Sequence, residues 1–221
     1  MPPPILYYIT DRHAFGGDAR SQREQLLNKI EEAALAGVDY IQLREKDLQA
    51  RDLEVLAGEI TDILHEANPR TETRQRRSTL LINSRTDVAL AIGADGVHLP
   101  ANDLAPEEVR LVWQACGVGE IARVMLSAAC HTIEEVEQAA QHGADLAVFA
   151  PIFEKKDTRK TKPAGLNALR RACLCKIRVI ALGGITLENA GACLDAGAAG
   201  IAGIRLFQAH NIHEIVARFH N

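Results

Sequence analysis

Three polar side chains stand at every second position of the segment IQLREK, and their types suit the binding of an anion. Gln42, Arg44 and Lys46 are two residues apart, and alternate residues of a β-strand project to the same side. An arginine and a lysine on one side combine positive charge with N–H donors, which suits phosphate groups. The segment therefore predicts an anion site, with Glu45 on the opposite side available to pair with a neighbour.

Further residues able to do chemistry follow other apolar segments. They are Asn83, Ser84, Arg85, His98, Asp103 and His131. A long segment, PIFEKKDTRKTKPAG (residues 151–165), is rich in lysine and contains Thr161 and Lys162. Loops of that length in a compact domain are usually functional, so this one is predicted to be a basic lid over a site.

The elements that must position these residues alternate regularly along the chain. Short apolar runs typical of buried strands are separated by amphipathic stretches, whose apolar residues recur at steps of three and four. The predicted strands cover residues 5–10, 40–44, 80–83, 96–99, 123–126, 146–150, 179–182 and 200–204. The clearest predicted helices cover residues 23–37, 50–67, 132–144 and 186–198.

The strand sequences indicate a parallel sheet that is covered by helices. They lack hydrophobic–polar alternation, as expected of strands buried on both faces. The related segments AGVDYIQL, IGADGVHL, HGADLAVF and AGAAGIAG each end a helix on glycine just before a strand. Eight such units in 221 residues predict an α/β fold, a single (β/α)8 TIM barrel over residues 1–221. The alternative, an open doubly wound sheet, usually carries a GxGxxG turn after its first strand, and that turn is absent from the sequence.

The predicted barrel brings the polar residues together, because the loops that follow its strands form the active site. The resulting rim is basic although the chain has a net charge of −4, which points to a small anionic substrate. The last two strands end in Gly183-Gly184 and in Gly203-Ile204-Arg205. Loops at those positions frequently bind phosphate through backbone N–H groups, which we favour over a plain tight turn. Two separate anion sites predict a reaction that joins two phosphorylated molecules.

Composition and charge argue against several other classes. The net charge of −4 disfavours nucleic acid as a partner, and the basic run at residues 70–77 is predicted to be a solvated loop. No apolar run approaches the roughly 20 residues that span a bilayer, and the N-terminal residues lack the pattern of a secretory signal. The five cysteines show no CxxC or zinc-type spacing. We therefore predict reduced thiols, no membrane partner and a cytoplasmic location.

Taken together, the motifs resemble those of the thiamine phosphate synthase (thiamine-phosphate pyrophosphorylase) family and its sister, the thiazole tautomerases. The likeness covers nearly the whole chain, through YYITDR, QLREK, INSRTDVALAIGADGVHL, ANDL, FAPIFEKK, TKPAGL, ALGGIT and AGAAGIAGIR. The resemblance implies a transferase of thiamine biosynthesis that uses Mg²⁺. It would couple 4-amino-2-methyl-5-(diphosphooxymethyl)pyrimidine to thiazole phosphate, which gives thiamine phosphate and diphosphate. Barrels of this family are often dimers, so a homodimer is also implied.

The resemblance implies roles for individual residues as well. Diphosphate binding is implied for Gln42, Arg44, Lys46 and Lys162, and substrate binding by the lid is implied for Thr161. Asn83 would contact the pyrimidine, and Asp103 would be one of two Mg²⁺-binding aspartates. Thiazole phosphate binding is implied for Gly184, Ile204 and Arg205. The residues predicted to act catalytically are Arg44, Lys46, Lys162 and His131.

Three residues depart from the family pattern. Ser84 stands where the other metal-binding aspartate is usual, and serine brings no charge to a hard cation. Ala129 replaces a usual serine, and Arg205 replaces a usual small hydroxyl residue. These departures leave two alternatives open: a metal-independent thiazole tautomerase that uses His131 as a proton shuttle, and a non-catalytic barrel that binds thiazole or thiamine phosphate. The intact basic set at the end of the second strand, together with Asp103, favours the synthase.

Overall fold

The computed structural model describes residues 2–67, 78–117, 123–154 and 162–220. Its strands are β1 (Ile5–Ile9), β2 (Tyr40–Leu43), β3 (Thr79–Asn83), β4 (Gly96–Leu99), β5 (Met125–Cys130), β6 (Leu146–Phe149), β7 (Arg178–Ala181) and β8 (Gly200–Gly203). Its helices are α1 (Ala19–Ala36), α2 (Ala50–Ala67), α3 (Thr86–Ala91), α4 (Pro106–Ala115), α5 (Ile133–Gln141), α6 (Gly165–Ala172), α7 (Ala190–Asp195), α8 (Arg205–Gln208) and α9 (Ile212–His220), with a 3-10 turn at Arg12–Ala14. The strands pair in parallel and in sequence order, and β8 closes on β1. The predicted (β/α)8 barrel is therefore confirmed.

The hydrophobic core has an inner and an outer part, because successive side chains of a strand point to opposite faces. Inside the barrel, an apolar cluster includes Tyr7, Tyr40, Leu81, Val148 and Ile180. The alternate residues of the same strands, such as Tyr8, Ile41 and Ile82, pack outward against the helices. Both faces of each strand are thus apolar, which explains why the strand sequences show no alternation.

The amino-terminal rim of the barrel repeats one hydrogen bond three times. An aspartate immediately before an even-numbered strand accepts from the backbone N–H of the second residue of the preceding odd-numbered strand. The pairs are Asp39 with Leu6 at 2.9 Å, Asp95 with Leu80 at 2.8 Å and Asp145 with Leu126 at 2.9 Å. At the fourth equivalent position, before β8, the chain has Ala199. These carboxylates fix the register of neighbouring strands at the end opposite to the candidate site.

The predicted helices match the structure to different degrees. Helix α2 has the predicted bounds, and α4 begins at Pro106, because proline is favoured at the first position of a helix. Helix α1 begins earlier than predicted, because the Asp18 side chain caps it by accepting from the backbone N–H of Ser21 at 2.8 Å. Helices α5 and α7 are shorter than the predicted stretches. No helix in the described ranges is long and apolar enough to cross a membrane.

The fifth strand lies further along the chain than predicted. It was expected at residues 123–126, but β5 runs from Met125 to Cys130 and pairs with β4 and β6 along this length. The prediction was wrong because the small residues of the segment LSAAC lack the bulk that marks a strand in sequence. As a result Ser127 faces the barrel interior, and Ala129, two residues further on, faces the same way at the mouth.

Candidate functional site

A network of five polar side chains crosses the barrel interior, one from each of β1 to β5. The Tyr7 hydroxyl donates to Gln42 Oε1 at 3.1 Å, and Gln42 Nε2 donates to Asn83 Oδ1 at 2.9 Å. On its other side, Tyr7 Oη lies 3.0 Å from Ser127 Oγ, which lies 2.7 Å from His98 Nδ1. Tyr7, Gln42 and Ser127 are fully or almost fully buried. Buried polar groups need partners, and here the five side chains supply one another.

His98 lies within this network rather than on the exposed rim where the sequence placed it. Its side chain is buried, and burial, together with the nearby charge of Arg44, lowers the pKa of His98 from its ordinary 6.5 to about 3. The imidazole is therefore neutral near pH 7. A neutral imidazole carries one N–H donor and one acceptor nitrogen, so His98 can give the network a direction.

Positive charge collects where β2 ends. Arg44 is half-buried and Lys46 is exposed. The charge of Arg44, with some burial, lowers the pKa of Lys46 below its ordinary value. Within the described ranges, neither side chain forms an ion pair with a carboxylate. Because like charges disfavour each other's charged form, an anion bound between them would be stabilised, and the end of β2 can bind a multiply charged group.

Glu45 anchors the segment between these two cations. Its buried carboxylate accepts from Thr10 Oγ1 at 2.7 Å and from Arg12 Nη1 at 3.0 Å. The Thr10 hydroxyl oxygen in turn accepts from the backbone N–H of Arg44 at 2.9 Å. The predicted pairing of Glu45 is confirmed, and its consequence is that the backbone carrying Arg44 and Lys46 is tied to the end of β1.

Asp47 extends this anchor to the surface. Arg12 Nη1 donates to Asp47 Oδ1 at 2.7 Å, and the second guanidinium nitrogen contacts the other carboxylate oxygen. The Arg12 hydrogen bonds hold the pKa of Asp47 far below its ordinary value. The guanidinium of Arg12 therefore joins both carboxylates that flank Lys46 in sequence, while Lys46 itself is exposed.

Ser84 and Asp103 meet at the ends of β3 and β4. Ser84 Oγ donates to Asp103 Oδ2 at 2.6 Å, and Asp103 Oδ1 accepts from the backbone N–H of Leu104 at 2.8 Å. Ser84 has a φ of 67°, a left-handed conformation that residues other than glycine rarely adopt. Since Ser84 directly follows Asn83, this contact adjoins the inner polar network.

The oxygen atoms of Asp103 and Ser84 can coordinate a divalent cation only if a bound substrate supplies further oxygen atoms. In the described part of the chain, no three His, Cys, Asp or Glu side chains gather as a metal site. Mg²⁺ commonly keeps several waters and takes one or two protein carboxylates together with substrate phosphates. One carboxylate with a neutral hydroxyl beside it fits that pattern when the substrate contributes phosphate oxygens.

His131 lies on the exposed rim after β5. Its Nδ1 lies 2.8 Å from the carbonyl oxygen of Ala150, and its backbone N–H donates to Glu135 Oε2 at 2.5 Å. A carbonyl oxygen can only accept, so Nδ1 carries the proton and Nε2 is the acceptor nitrogen of the neutral ring. The ring is thus oriented, and Nε2 can take up a proton from a ligand.

The Gly183-Gly184 turn is shaped by the loop that follows β6. Both residues have positive φ, 98° and 65°. A Cβ on Gly183 would lie 2.7 Å from Pro151, and one on Gly184 would lie 2.7 Å from the carbonyl oxygen of Glu154. The turn and the close approach therefore each require glycine. Within the described ranges the N–H groups of both glycines have no acceptor, so they can also bind an anion.

The remaining predicted residues fall at different depths. Ile204 is half-buried where β8 ends, and Arg205 is exposed as the first residue of α8. Lys162 is exposed, and Ala129 is half-buried on the inner side of β5. Thr161, together with Lys155, Lys156, Lys160 and the basic run at residues 70–77, lies outside the described residues. The roles that the resemblance implies for all of these residues stay predictions.

Two members of the inner network were missed by the sequence analysis. Tyr7 looked like one more apolar residue of β1, and Ser127 lay beyond the predicted end of the fifth strand. The sequence did contain a signal for both, since a tyrosine or serine at an inward position needs a hydrogen-bond partner. Using that signal requires the strand register, which the structure supplies.

Comparison with known proteins gives a consistent result. The family model described as thiamine monophosphate synthase (TMP-TENI) matches residues 6–207. A putative thiamine-phosphate synthase 2 from Aquifex aeolicus is 39% identical over 208 residues, which cover 94% of this chain and 99% of that protein. A thiamine-phosphate synthase from Chlorobium luteolum is 36% identical over 201 residues, which cover 90% and 82%.

A solved structure shows the same barrel. The thiamine phosphate pyrophosphorylase from Pyrococcus furiosus aligns with a TM-score of 0.76 at 27% identity, over 97% of this chain and 93% of that chain. These sequence and structure matches extend over almost the whole length of the chain. The chain belongs to the thiamine monophosphate synthase family.

Proposed function

We propose that this protein is a thiamine-phosphate synthase, which couples a pyrimidine methyl diphosphate to a thiazole phosphate. Its family membership and the names of its relatives support this activity. The structural observation that carries the proposal is the adjacency of two sites. The cations Arg44 and Lys46 follow β2, and on the neighbouring strand β3 the Asn83 amide is followed by the Ser84–Asp103 contact. A diphosphate and the ring attached to it can therefore be held side by side.

The proposed reaction breaks one bond and forms another. The C–O bond between the pyrimidine methyl carbon and the diphosphate breaks, and its electron pair leaves on the diphosphate. The thiazole ring nitrogen then donates its lone pair to the pyrimidine-methyl cation and forms the new C–N bond. Arg44, Lys46 and Lys162 would stabilise the charge that develops on the departing diphosphate. Asn83, which is hydrogen-bonded to Gln42, would hold the pyrimidine.

We propose that Asp103 holds Mg²⁺ together with the substrate diphosphate. The cation, when bound, would neutralise part of the diphosphate charge and so favour its departure. The Ser84 hydroxyl keeps one carboxylate oxygen of Asp103 occupied at 2.6 Å, and its rotation frees that oxygen for the metal. The protein itself supplies few oxygen atoms that can coordinate the cation, so we expect the cation and the diphosphate to bind together.

The thiazole phosphate is proposed to bind on the opposite side of the mouth. The N–H groups of Gly183 and Gly184 have no acceptor within the described ranges, and Arg205 lies exposed where the adjacent strand β8 ends. Backbone N–H groups with a nearby arginine suit a phosphate monoester. This arrangement places the two anionic groups at different strand ends, so both substrates fit at once.

The two alternatives are not favoured by the comparisons, because the relatives are named as synthases. A tautomerase would need His131 as its proton carrier, and that ring is oriented for such a role. A synthase needs His131 less, since diphosphate departure depends on electrostatic stabilisation. Substitutions of Asp103 and of His131 therefore distinguish a synthase from a tautomerase.

A coupling assay with both substrates, with and without Mg²⁺, tests the proposal. We expect Mg²⁺-dependent formation of thiamine phosphate and diphosphate. Asp103→Asn should nearly abolish it, and His131→Ala should reduce it only modestly. Asp62→Asn, which makes the same change at an exposed position of α2, is the matched control. Activity that ignores Mg²⁺ and Asp103 but is lost in His131→Ala would contradict the synthase.

Wider properties are proposed with the activity. We propose that residues 1–221 act as one domain in the cytoplasm, which is supported by five free cysteines. The substrates are small phosphorylated molecules, and neither a membrane nor a nucleic acid is expected as a partner. The homodimer stays a prediction, which light scattering of the purified protein at known concentration would check.

A further inference from the structure

The inner polar network has a hydrogen-bond direction that can be worked out by counting protons. A tyrosine or serine hydroxyl owns one proton and can donate only once. Tyr7 donates to Gln42 Oε1, so its oxygen must accept from Ser127, whose Oγ is 3.0 Å away. Ser127 has then used its only proton. Its oxygen must therefore accept from His98 Nδ1, which is 2.7 Å away.

The resulting relay runs in one direction across five strands. His98 Nδ1–H donates to Ser127, Ser127 to Tyr7, and Tyr7 to the carbonyl oxygen of the Gln42 side chain. Gln42 then donates from its Nε2 to Asn83 Oδ1 at 2.9 Å. Because the Asn83 amide oxygen accepts this hydrogen bond, the orientation of the Asn83 amide is set by Gln42 and the residues that orient Gln42.

The last member of the relay presents donors to the mouth. Asn83 is half-buried as the last residue of β3. In the described part of the chain its Nδ2 has no acceptor. An amide N–H₂ group can donate two hydrogen bonds and accept none. The open position beside Asn83 therefore suits a ligand atom that accepts.

We propose that Tyr7, Ser127 and His98 are positioning residues that act through Gln42 to hold the Asn83 amide with its N–H₂ group towards the ligand. The inference rests on the proposed function in that the ligand is the pyrimidine substrate. An aminopyrimidine offers ring nitrogens that accept and an amino group that donates. The relay selects a ring nitrogen as the partner of Asn83 and disfavours a ring that presents a donor there.

The opposite direction would give the opposite selectivity. If both amides were turned over, Gln42 would donate to Tyr7, Tyr7 to Ser127, and Ser127 to His98 Nδ1. Asn83 Oδ1 would then face the ligand and require a donor. The two arrangements differ in one observable property, because the first requires the proton of His98 on Nδ1 and the second requires it on Nε2.

Nuclear magnetic resonance can read this property in the whole protein. Nitrogen-15 shifts of the histidine rings distinguish the two neutral tautomers, and a His98→Asn variant identifies the signal of His98. We expect the Nδ1–H tautomer, with no protonation between pH 8 and pH 5, in the free protein. An Nε2–H tautomer would overturn the proposed direction. This measurement does not depend on any activity.

Kinetics test whether the relay acts on the substrate. Tyr7→Phe removes the hydroxyl and keeps the buried ring, so the Gln42 and Asn83 amides lose their fixed orientation. We expect the KM of the pyrimidine diphosphate to rise about tenfold, the equivalent of one buried hydrogen bond, with the KM of the thiazole phosphate unchanged. The matched control is Tyr8→Phe, the same change in a neighbour that is equally buried but packs outward.

The possible outcomes separate this inference from the proposed function. Equal effects of Tyr7→Phe and Tyr8→Phe, or an equal rise in both KM values, would show a merely structural role and overturn the inference. If the wild-type protein fails to couple the substrates, the proposed function fails. In that case calorimetric binding of the pyrimidine diphosphate to wild type, Tyr7→Phe and Tyr8→Phe tests the relay, and equal affinities would overturn it.

Discussion

Ser84 Oγ donates a 2.6 Å hydrogen bond to Asp103 Oδ2 at the mouth of the barrel. The two residues are 19 positions apart, and the resemblance predicts that these two positions serve one metal. The structure brings them into contact, with a hydroxyl where a second carboxylate would stand. Substitution of Ser84 therefore tests whether a second carboxylate at this position increases the affinity for Mg²⁺.

Ser84→Asp should increase the affinity for Mg²⁺. The new carboxylate would lie beside Asp103, and two adjacent anions are stabilised by a divalent cation. We expect the Mg²⁺ concentration for half-maximal coupling to fall by roughly tenfold, about 1.4 kcal/mol. Without Mg²⁺ the repulsion should lower the melting temperature, and added Mg²⁺ should restore it. Ser84→Ala is the control, and an identical Mg²⁺ response of both variants would contradict the expectation.

Gly184→Ala should destabilise the fold as well as the phosphate site. The residue has a φ of 65°, and a Cβ would lie 2.7 Å from the carbonyl oxygen of Glu154. A non-glycine residue in this conformation costs about 1–3 kcal/mol. Urea unfolding should show a loss of that size, together with weaker thiazole phosphate binding.

Gly58→Ala is the matched control for that substitution. Gly58 lies in the interior of α2, and a Cβ there would meet no atom within 4 Å. Alanine in such a helical position should stabilise the protein by about 0.5–1 kcal/mol. If both variants unfold at the same urea concentration, the turn at Gly184 is not constrained as described.

The buried His98 should make the protein sensitive to acid above the range in which most carboxylates titrate. Its pKa is lowered in the folded protein from 6.5 to about 3, so the unfolded chain binds one more proton between these values. Stability is therefore complete above about pH 6.5 and is lost as the pH falls. The slope contributed by one group is at most about 1.4 kcal/mol per pH unit.

Urea unfolding between pH 6.5 and pH 5 measures this slope. We expect a smaller dependence on pH in His98→Asn, although that variant is less stable overall because Ser127 loses a partner. His142→Asn, which removes a histidine at the exposed end of α5 and retains the buried His98, is the control. A wild-type slope retained in His98→Asn would show that another group binds the proton.

Glu45→Gln should weaken the barrel at the anion site. The Glu45 side chain is 1% exposed and pairs with Arg12, which is 11% exposed. Because Arg12 keeps Asp47 as a partner, the loss should be smaller than the roughly 3–5 kcal/mol of an unpaired buried charge, and we expect about 1–3 kcal/mol in urea unfolding. The exposed pair Arg23–Glu59 is the control, for which Glu59→Gln should cost less than about 1 kcal/mol. Equal losses would mean that burial of Glu45 has little effect.

Much of the fold follows from the sequence because the barrel repeats one local pattern. The β-rich runs recur eight times, several of the helices between them end on glycine, and most repeats are recognisable without their neighbours. The fifth strand was misplaced because Ser127, Ala128 and Ala129 carry little strand signal of their own. Their position is decided by pairing with β4 and β6, which is tertiary information.

The candidate site was predictable only in part, for a related reason. The predicted residues Gln42, Asn83 and Asp103 lie at strand ends, where position alone suggests exposure to a ligand. The partners that orient them come from distant parts of the chain, as with Tyr7 and Ser127, which are 120 positions apart. Such contacts leave no periodic trace in the sequence, so they appear only once the strands are in register.

The aspartate contacts of the amino-terminal rim divide the barrel into quarters, each made of two neighbouring strands. Asp39, Asp95 and Asp145 each tie an even strand to the odd strand before it, while the last quarter has Ala199 at that position. Each of the first three pairs of strands is thus held by its own aspartate contact, at the end of the barrel away from the mouth. A circular permutant with its chain termini between two such pairs of strands, for example between β2 and β3, would therefore keep all three hydrogen bonds.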